Sequence, residues 1–170
     1  MNVLQTERLI LRWLSTDDAA FILRLVNEPS WLKYIGDKGV RTLQDAANYI
    51  ANGPVEMYRR LGFGLYLVEL RDGGEPLGIC GLIKRESLQH VDLGFAFLPN
   101  FWRKGYAYEA AAATMSYGKS VLGLSRILAI VSQDNHPSSK LLEKLGFRFE
   151  RLVALNSDEA ELKLYATTAE

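Results

Sequence analysis

Leu93-Gly94-Phe95-Ala96-Phe97-Leu98-Pro99-Asn100-Phe101-Trp102-Arg103-Lys104-Gly105-Tyr106-Ala107-Tyr108-Glu109-Ala110-Ala111 reads as a strand, a short loop and the start of a helix. Pro99 stops the apolar run, and the alanine-rich stretch from about Tyr106 to Ser120 favours a long helix. A loop that feeds straight into a helix N-terminus presents several unpaired backbone amides, and the helix dipole adds positive potential there. Such a junction suits a pyrophosphate. Gly105 and Ala107 keep bulk away from those amides, and Arg103 and Lys104 add charge at the rim. On spacing alone, a turn glycine beside two solvated cations explains the same residues. Two other phosphate loops are excluded. There is no Gly-x-x-x-x-Gly-Lys-Ser/Thr, and Gly62-Phe63-Gly64 lacks the third glycine and the preceding strand of a dinucleotide fingerprint.

Outward from this segment the pattern is strand, helices, meander, helix, strands. Leu9 to Leu11, flanked by Arg8 and Arg12, predicts a short buried strand, and Ser15-Thr16-Asp17-Asp18 supplies caps for a helix with Ala19, Ile22, Leu23 and Val26 on its apolar face. Leu43, Ala46, Ala47 and Ile50 predict a second helix, interrupted at Gly53-Pro54 and resumed from Met57 to Leu61. Phe63–Leu70, Leu77–Lys84 and Val91–Leu98 form an antiparallel meander. After the long helix come a strand Ile127–Val131, a shorter helix ending at Gly146, and two last strands, Phe147–Leu155 and Glu161–Ala166. Residues 1–170 carry no repeat or linker, and the length suits a single domain.

Composition bounds the partners. The 20 basic and 20 acidic residues balance, which argues against nucleic acid as a partner while leaving room for a local basic patch. Cys80 is the sole cysteine and there are two histidines, so neither an intrachain disulfide nor a structural zinc site is expected, and no metal is called for. Met1 to Arg12 has no signal-peptide core, and no apolar run approaches the roughly 20 residues that span a bilayer, so a cytoplasmic location without membrane attachment is expected. A homodimer is left open.

Trp102-Arg103-Lys104-Gly105-Tyr106-Ala107-Tyr108-Glu109-Ala110 resembles the acyl-CoA loop of the GNAT superfamily, in its RimJ/RimL-like branch. Thr6-Glu7-Arg8-Leu9-Ile10-Leu11-Arg12 resembles that branch's opening strand. Asn135-x-x-Ser138 followed by Leu142-Glu143-Lys144-Leu145-Gly146-Phe147 resembles its second cofactor segment. The resemblance covers almost the whole chain. It implies an α+β fold with a mixed, mostly antiparallel sheet of about seven strands flanked by helices, in which the fourth and fifth strands splay to form the acyl-CoA cleft. It implies an N-acetyltransferase that passes the acetyl group of acetyl-CoA to an amine, without metal. Phe97 and Leu98 would offer backbone groups to pantetheine, and Arg103, Lys104, Gly105, Tyr106, Ala107 and Tyr108 would cradle the pyrophosphate. Asn135 would bond the pantetheine arm, with Ser138 near the thioester. Asn135 also reads as a plain helix N-cap ahead of Pro137.

Departures from the family pattern locate the open questions. Arg103 stands where many members of the branch have glycine, which restricts the loop. Leu142 stands where many members of the superfamily have a tyrosine thought to protonate the leaving thiolate, so Ser138 is the candidate acid, with a purely capping role as its alternative. Asp92 is the candidate base, with His90 two residues earlier. A deprotonation relayed by water would leave no residue signature. Cys80 reads as core, and Glu109 as a carboxylate favoured by the helix dipole. Among acceptors, a peptide N-terminal α-amine needs the least help from a base, its pKa lying near 8 against about 10.4 for lysine. Polyamines, antibiotics, and a binding module without turnover remain as alternatives.

Overall fold

The computed structural model describes residues 1–168. A hairpin of β1 (Asn2–Gln5) and β2 (Leu9–Trp13) opens the chain, and four short helices follow: α1 (Ala19–Val26), α2 (Pro29–Tyr34), α3 (Leu43–Asn52) and α4 (Pro54–Leu61). The meander is β3 (Leu65–Leu70), β4 (Pro76–Ile83) and β5 (Asp92–Phe97). Then come α5 (Tyr106–Ser120), β6 (Leu128–Val131), α6 (His136–Lys144), β7 (Arg148–Val153) and β8 (Leu162–Ala166).

The eight strands form one sheet in the order β1-β2-β3-β4-β5-β6-β8-β7. Every neighbouring pair is antiparallel except β5 and β6. The expected α+β class and mostly antiparallel sheet are borne out, with β1 as an additional strand. That strand has only Val3 and Leu4 as apolar residues and is held by β2, partly through the Trp13 N–H to the Met1 carbonyl at 3.0 Å. The unforeseen α2 is six residues long and buries only Trp31, too little for a helical period to register.

One face of the sheet carries α5, whose Ala110, Ala111 and Met115 pack with Cys80, Leu82 and Leu93. Small residues let this helix approach closely: a Cβ on Gly118 would lie 3.1 Å from both Ile127 and Leu82. The other face carries α1 and α3, with Ile22, Leu25, Ala46 and Ile50 against Leu67, Ile79 and Leu98. Reciprocal capping boxes fix the entries to these helices. Ser15 pairs with Asp18 ahead of α1, and Thr42 with Asp45 ahead of α3.

The feature that makes a site is the meeting of β5 and β6. β5 is registered with β4 from Ile83↔Asp92 to Gly78↔Phe97, but with β6 only at Asp92↔Leu128. Beyond that rung the two strands part, and the carboxyl-terminal half of β5 keeps a free edge.

Candidate active site

The parting strands open a cleft of about 1700 Å³, lined by β5, β6, the N-termini of α5 and α6, and α2 and α3. The Leu98 N–H donates to the Leu77 carbonyl on β4 at 2.9 Å, and the Leu98 carbonyl accepts from Phe101 N–H at 3.0 Å. The Leu98 N–H is thus spent on β4, and its carbonyl keeps one lone pair. Antiparallel alternation then turns the N–H and C=O of Phe95 and Phe97 away from β4, toward the open edge. Phe95 was not expected there. The Phe97 carbonyl already accepts the Trp102 indole N–H at 2.8 Å, leaving its second lone pair and the N–H.

Between β5 and α5 the chain makes two left-handed steps, at Arg103 (φ 62°) and Gly105 (φ 83°). Arg103 is the one non-glycine residue with positive φ among the described residues. Gly105 is the N-cap of α5 and no side chain caps this helix. The amides of Tyr106, Ala107 and Tyr108 are thus left to the cleft, and the first intrahelical bond is Glu109 N–H to the Gly105 carbonyl at 3.0 Å. Lys104 does not line the cleft. Its ammonium lies 5.9 Å from the centre of the Phe101 ring, and its carbonyl accepts from Arg8 Nη1 at 3.0 Å.

Across the cleft Asn135 caps α6, its Oδ1 accepting the Ser138 N–H at 3.3 Å with Pro137 in the first turn. The N-cap reading of Asn135 is therefore correct as geometry, and its Nδ2 remains available to the cleft that Asn135 and Ser138 both line. The Ser138 hydroxyl makes no hydrogen bond among the described residues and is half-buried, so it is placed to meet a ligand. Leu142 is fully buried at the same wall.

Asp92 stands where β5 and β6 part. It is 1% exposed, its Oδ2 accepts from Arg85 Nε at 2.8 Å, and its Oδ1 has no partner. Burial pushes its pKa up, and the charge and hydrogen bond of Arg85 offset this only in part. His90 lies before the strand and does not line the cleft. Cys80 is in the core, 3.5 Å from Thr114 Oγ1, and burial pushes its thiol up to about 12, which leaves it inert as a nucleophile. Among the described residues no group of three or more His, Cys, Asp or Glu could hold a metal, and no helix is long and apolar enough to cross a membrane.

Two residues that sequence reasoning missed matter here. Arg85 sits outside any strand, and only the fold brings it to Asp92. Arg8 reaches Glu109, whose carboxylate also accepts the Thr6 hydroxyl and the Arg8 N–H. Glu109 is thus an anchor for the β1–β2 turn as well as a dipole partner.

Known proteins match this arrangement. Residues 8–148 match the acetyltransferase (GNAT) domain family. The chain is 33% identical over 149 residues to the uncharacterized N-acetyltransferase YoaA of Bacillus subtilis (strain 168), covering 87% of this chain and 84% of that one. It is 25% identical over 141 residues to the spermidine N(1)-acetyltransferase of Escherichia coli (strain K12), covering 82% and 73%. The structure of RimL, a ribosomal L7/L12 α-N-protein acetyltransferase in complex with coenzyme A, superposes with a TM-score of 0.83 over 99% of this chain and 98% of that one, at 17% identity. A match over most of the chain, at this identity and around a sheet that parts beside an uncapped helix N-terminus, makes the protein a member of the GNAT acetyltransferase family and an acyl-CoA-dependent N-acetyltransferase.

Proposed function

We propose that the chain acts as one domain, residues 1–170, and transfers the acetyl group of acetyl-CoA to the α-amine of a peptide or protein N-terminus. The observation that carries the cofactor half is the first turn of α5. Its three uncapped amides, opened by left-handed Arg103 and Gly105, face the cleft that opens where β5 loses its partner. A pyrophosphate fits there because the donors and the dipole are both unneutralised by the protein. The backbones of Phe95 and Phe97 would hold the pantetheine arm as an added strand would, with Asn135 Nδ2 opposite, and Arg103 would add charge at the rim.

In the transfer, the neutral amine nitrogen attacks the thioester carbonyl carbon, a C–N bond forms, and the C–S bond breaks. A free N–H on the open edge of β5 stabilises the oxygen that gains charge. Asp92 Oδ1 receives the proton that nitrogen loses, a task suited to a carboxylate whose burial raises its proton affinity. Ser138 gives a proton to the departing sulfur and recovers one from solvent, so that the net change moves one proton from nitrogen to sulfur. Similarity of fold to RimL supports a protein N-terminus, and similarity to a spermidine acetyltransferase supports a small amine.

Release of free thiol from acetyl-CoA with N-terminal peptides, spermidine and aminoglycosides tests this reading. Turnover with peptides and not with lysine side chains is expected. Tight binding of acetyl-CoA without thiol release on any amine would instead make the chain a sensor of acyl-CoA.

A further inference from the structure

The carboxylates that line the cleft on the side of α1 to α3 are all engaged by the protein itself, but one of them keeps a buried oxygen without a partner. Asp37 accepts from Arg41 and from the Gly39 N–H, Asp45 caps α3 through the N–H groups of Arg41 and Thr42, and Glu28 lies 3.8 Å from Arg24. That one is Asp92, whose Oδ2 is taken by Arg85 at 2.8 Å. Alternation along β5 puts it on the face of Ala96, which packs against α1 and α3, and its Oδ1 is buried with no donor. A buried acceptor left unpaired is costly, and a ligand N–H that reaches it recovers that cost.

The donors on this face are the complement. Arg85 lines the cleft, and its Nε–H to Asp92 is its one side-chain hydrogen bond among the described residues, so both Nη groups of its planar fork are unused. Tyr49 of α3 lines the cleft near enough to feel the Arg85 charge, and its hydroxyl makes no hydrogen bond among the described residues. Trp31 of α2 adds a buried indole N–H without a partner. A polycation would meet a guanidinium here and a single carboxylate with room for it. A ligand carrying a negative group beside its amine would meet a matching pair, because Arg85 Nε and Asp92 Oδ2 are only 2.8 Å apart.

Given the acetyl transfer proposed above, we propose that the acceptor is an α-amine whose own molecule bears a carboxylate a few bonds away, the amine received by Asp92 Oδ1 and the carboxylate by the Nη edge of Arg85. Two sources share this chemistry: a peptide beginning with Asp or Glu, and a free α-amino acid. A polyamine, which has no anionic group to offer the Nη edge of Arg85, is the poorer acceptor on this reading.

Thiol release with matched acceptors tests this. The pairs are Glu-Ala amide against Gln-Ala amide, and alanine against alaninamide, with rates referred to the neutral amine and spermidine alongside. The wild-type protein favours the acidic member of at least one pair by about tenfold or more in kcat/KM, and the pair that shows it identifies the source. In Arg85→Gln the preference collapses to within about twofold, and in the wild type it shrinks as salt is raised from about 0.05 to 0.5 M. The salt series needs no variant and stands if Arg85→Gln does not fold. Equal rates within both pairs, a preference that survives in folded Arg85→Gln, or faster turnover of spermidine overturns the inference and leaves the acetyl transfer standing. No thiol release with any amine overturns both.

Discussion

The guanidinium of Arg8 lies 2.8 Å from the carboxylate of Glu109, across 101 residues of chain, and its Nη1 continues to the carbonyl of Lys104 at 3.0 Å. The same guanidinium lies 4.3 Å from the centre of the Tyr106 ring. The turn between β1 and β2 therefore holds the left-handed loop from behind, on the side away from the cleft. Burial pushes the Glu109 pKa up, but hydrogen bonds from Thr6 and Arg8 outweigh it and hold the carboxyl below its ordinary range.

Breaking this clip loosens the loop without touching the acceptor. Arg8→Gln or Glu109→Gln raises KM for acetyl-CoA about tenfold, equivalent to about 1.4 kcal/mol, and leaves KM for the amine unchanged. The double variant is no worse than either single one, because the two residues act as one unit. Steady-state kinetics with each substrate varied in turn checks this. A rise in both KM values would make the pair a contributor to general stability instead. The linkage sign is that of a lowered carboxyl: the clip contributes fully above the ordinary Glu pKa of about 4.3 and is lost as pH falls through the lower folded value.

Gly105→Glu places a carboxylate where the first turn of α5 offers its amides, at a φ of 83° that L side chains rarely adopt. Acetyl-CoA binding measured by calorimetry is expected to vanish while far-UV circular dichroism is retained. Unchanged affinity in the folded variant would remove the case for this turn as the phosphate site.

Ser138→Ala separates two roles for a hydroxyl that faces the cleft unbonded. A thiol of pKa about 8.5 leaves with little help, so the loss of kcat is set at about tenfold to a hundredfold, low in the range for acid catalysis. Acetyl-CoA affinity is largely kept. If affinity falls and kcat does not, Ser138 is a cofactor contact.

Asp92→Asn lowers kcat by about 10²- to 10⁴-fold if the carboxylate takes the amine proton. The raised pKa has an opposite linkage sign to Glu109. The buried anion is a liability above its folded pKa, and the liability fades as pH falls through that value, so Asp92→Asn keeps or raises Tm at pH 8. With a peptide α-amine, wild-type kcat/KM climbs from about pH 7 to 8.5 as the acceptor loses its own proton. A flat profile from about pH 6 to 9 at subsaturating amine would contradict the assignment of that limb to the acceptor.

Much of this was readable along the chain because local signals agreed with the fold. The alanine-rich run after Gly105 has helix-forming composition and a glycine start, and α5 begins and ends at the expected residues, Tyr106 and Ser120. The three strands of the meander moved by a residue or two at their ends. What stayed hidden depends on contacts between distant segments. Val3 and Leu4 become a strand only because β2 is beside them, and nothing near Arg8 announces Glu109. Asp92 was visible as a polar residue heading an apolar strand, but its burial and its partner Arg85 belong to the sheet and not to the sequence around it. The direction of the Leu98 amide is equally hidden, because it is set by which rung of β4 the residue faces.

The single rung Asp92↔Leu128 has a mechanical meaning. To one side lie β1 to β5, stitched together by antiparallel ladders of several rungs each, and to the other lie β6, β8 and β7, stitched likewise. Below the rung no main-chain hydrogen bond among the described residues fixes the gap between the two plates, so side chains and whatever occupies the gap set its width. An extended molecule bonded to the free edge of β5 and to Asn135 would act as a strut, bracing one plate against the other. At a hundred times its Kd such a strut adds about 2.7 kcal/mol to the folded state, so the stiffness of this sheet becomes a function of ligand concentration.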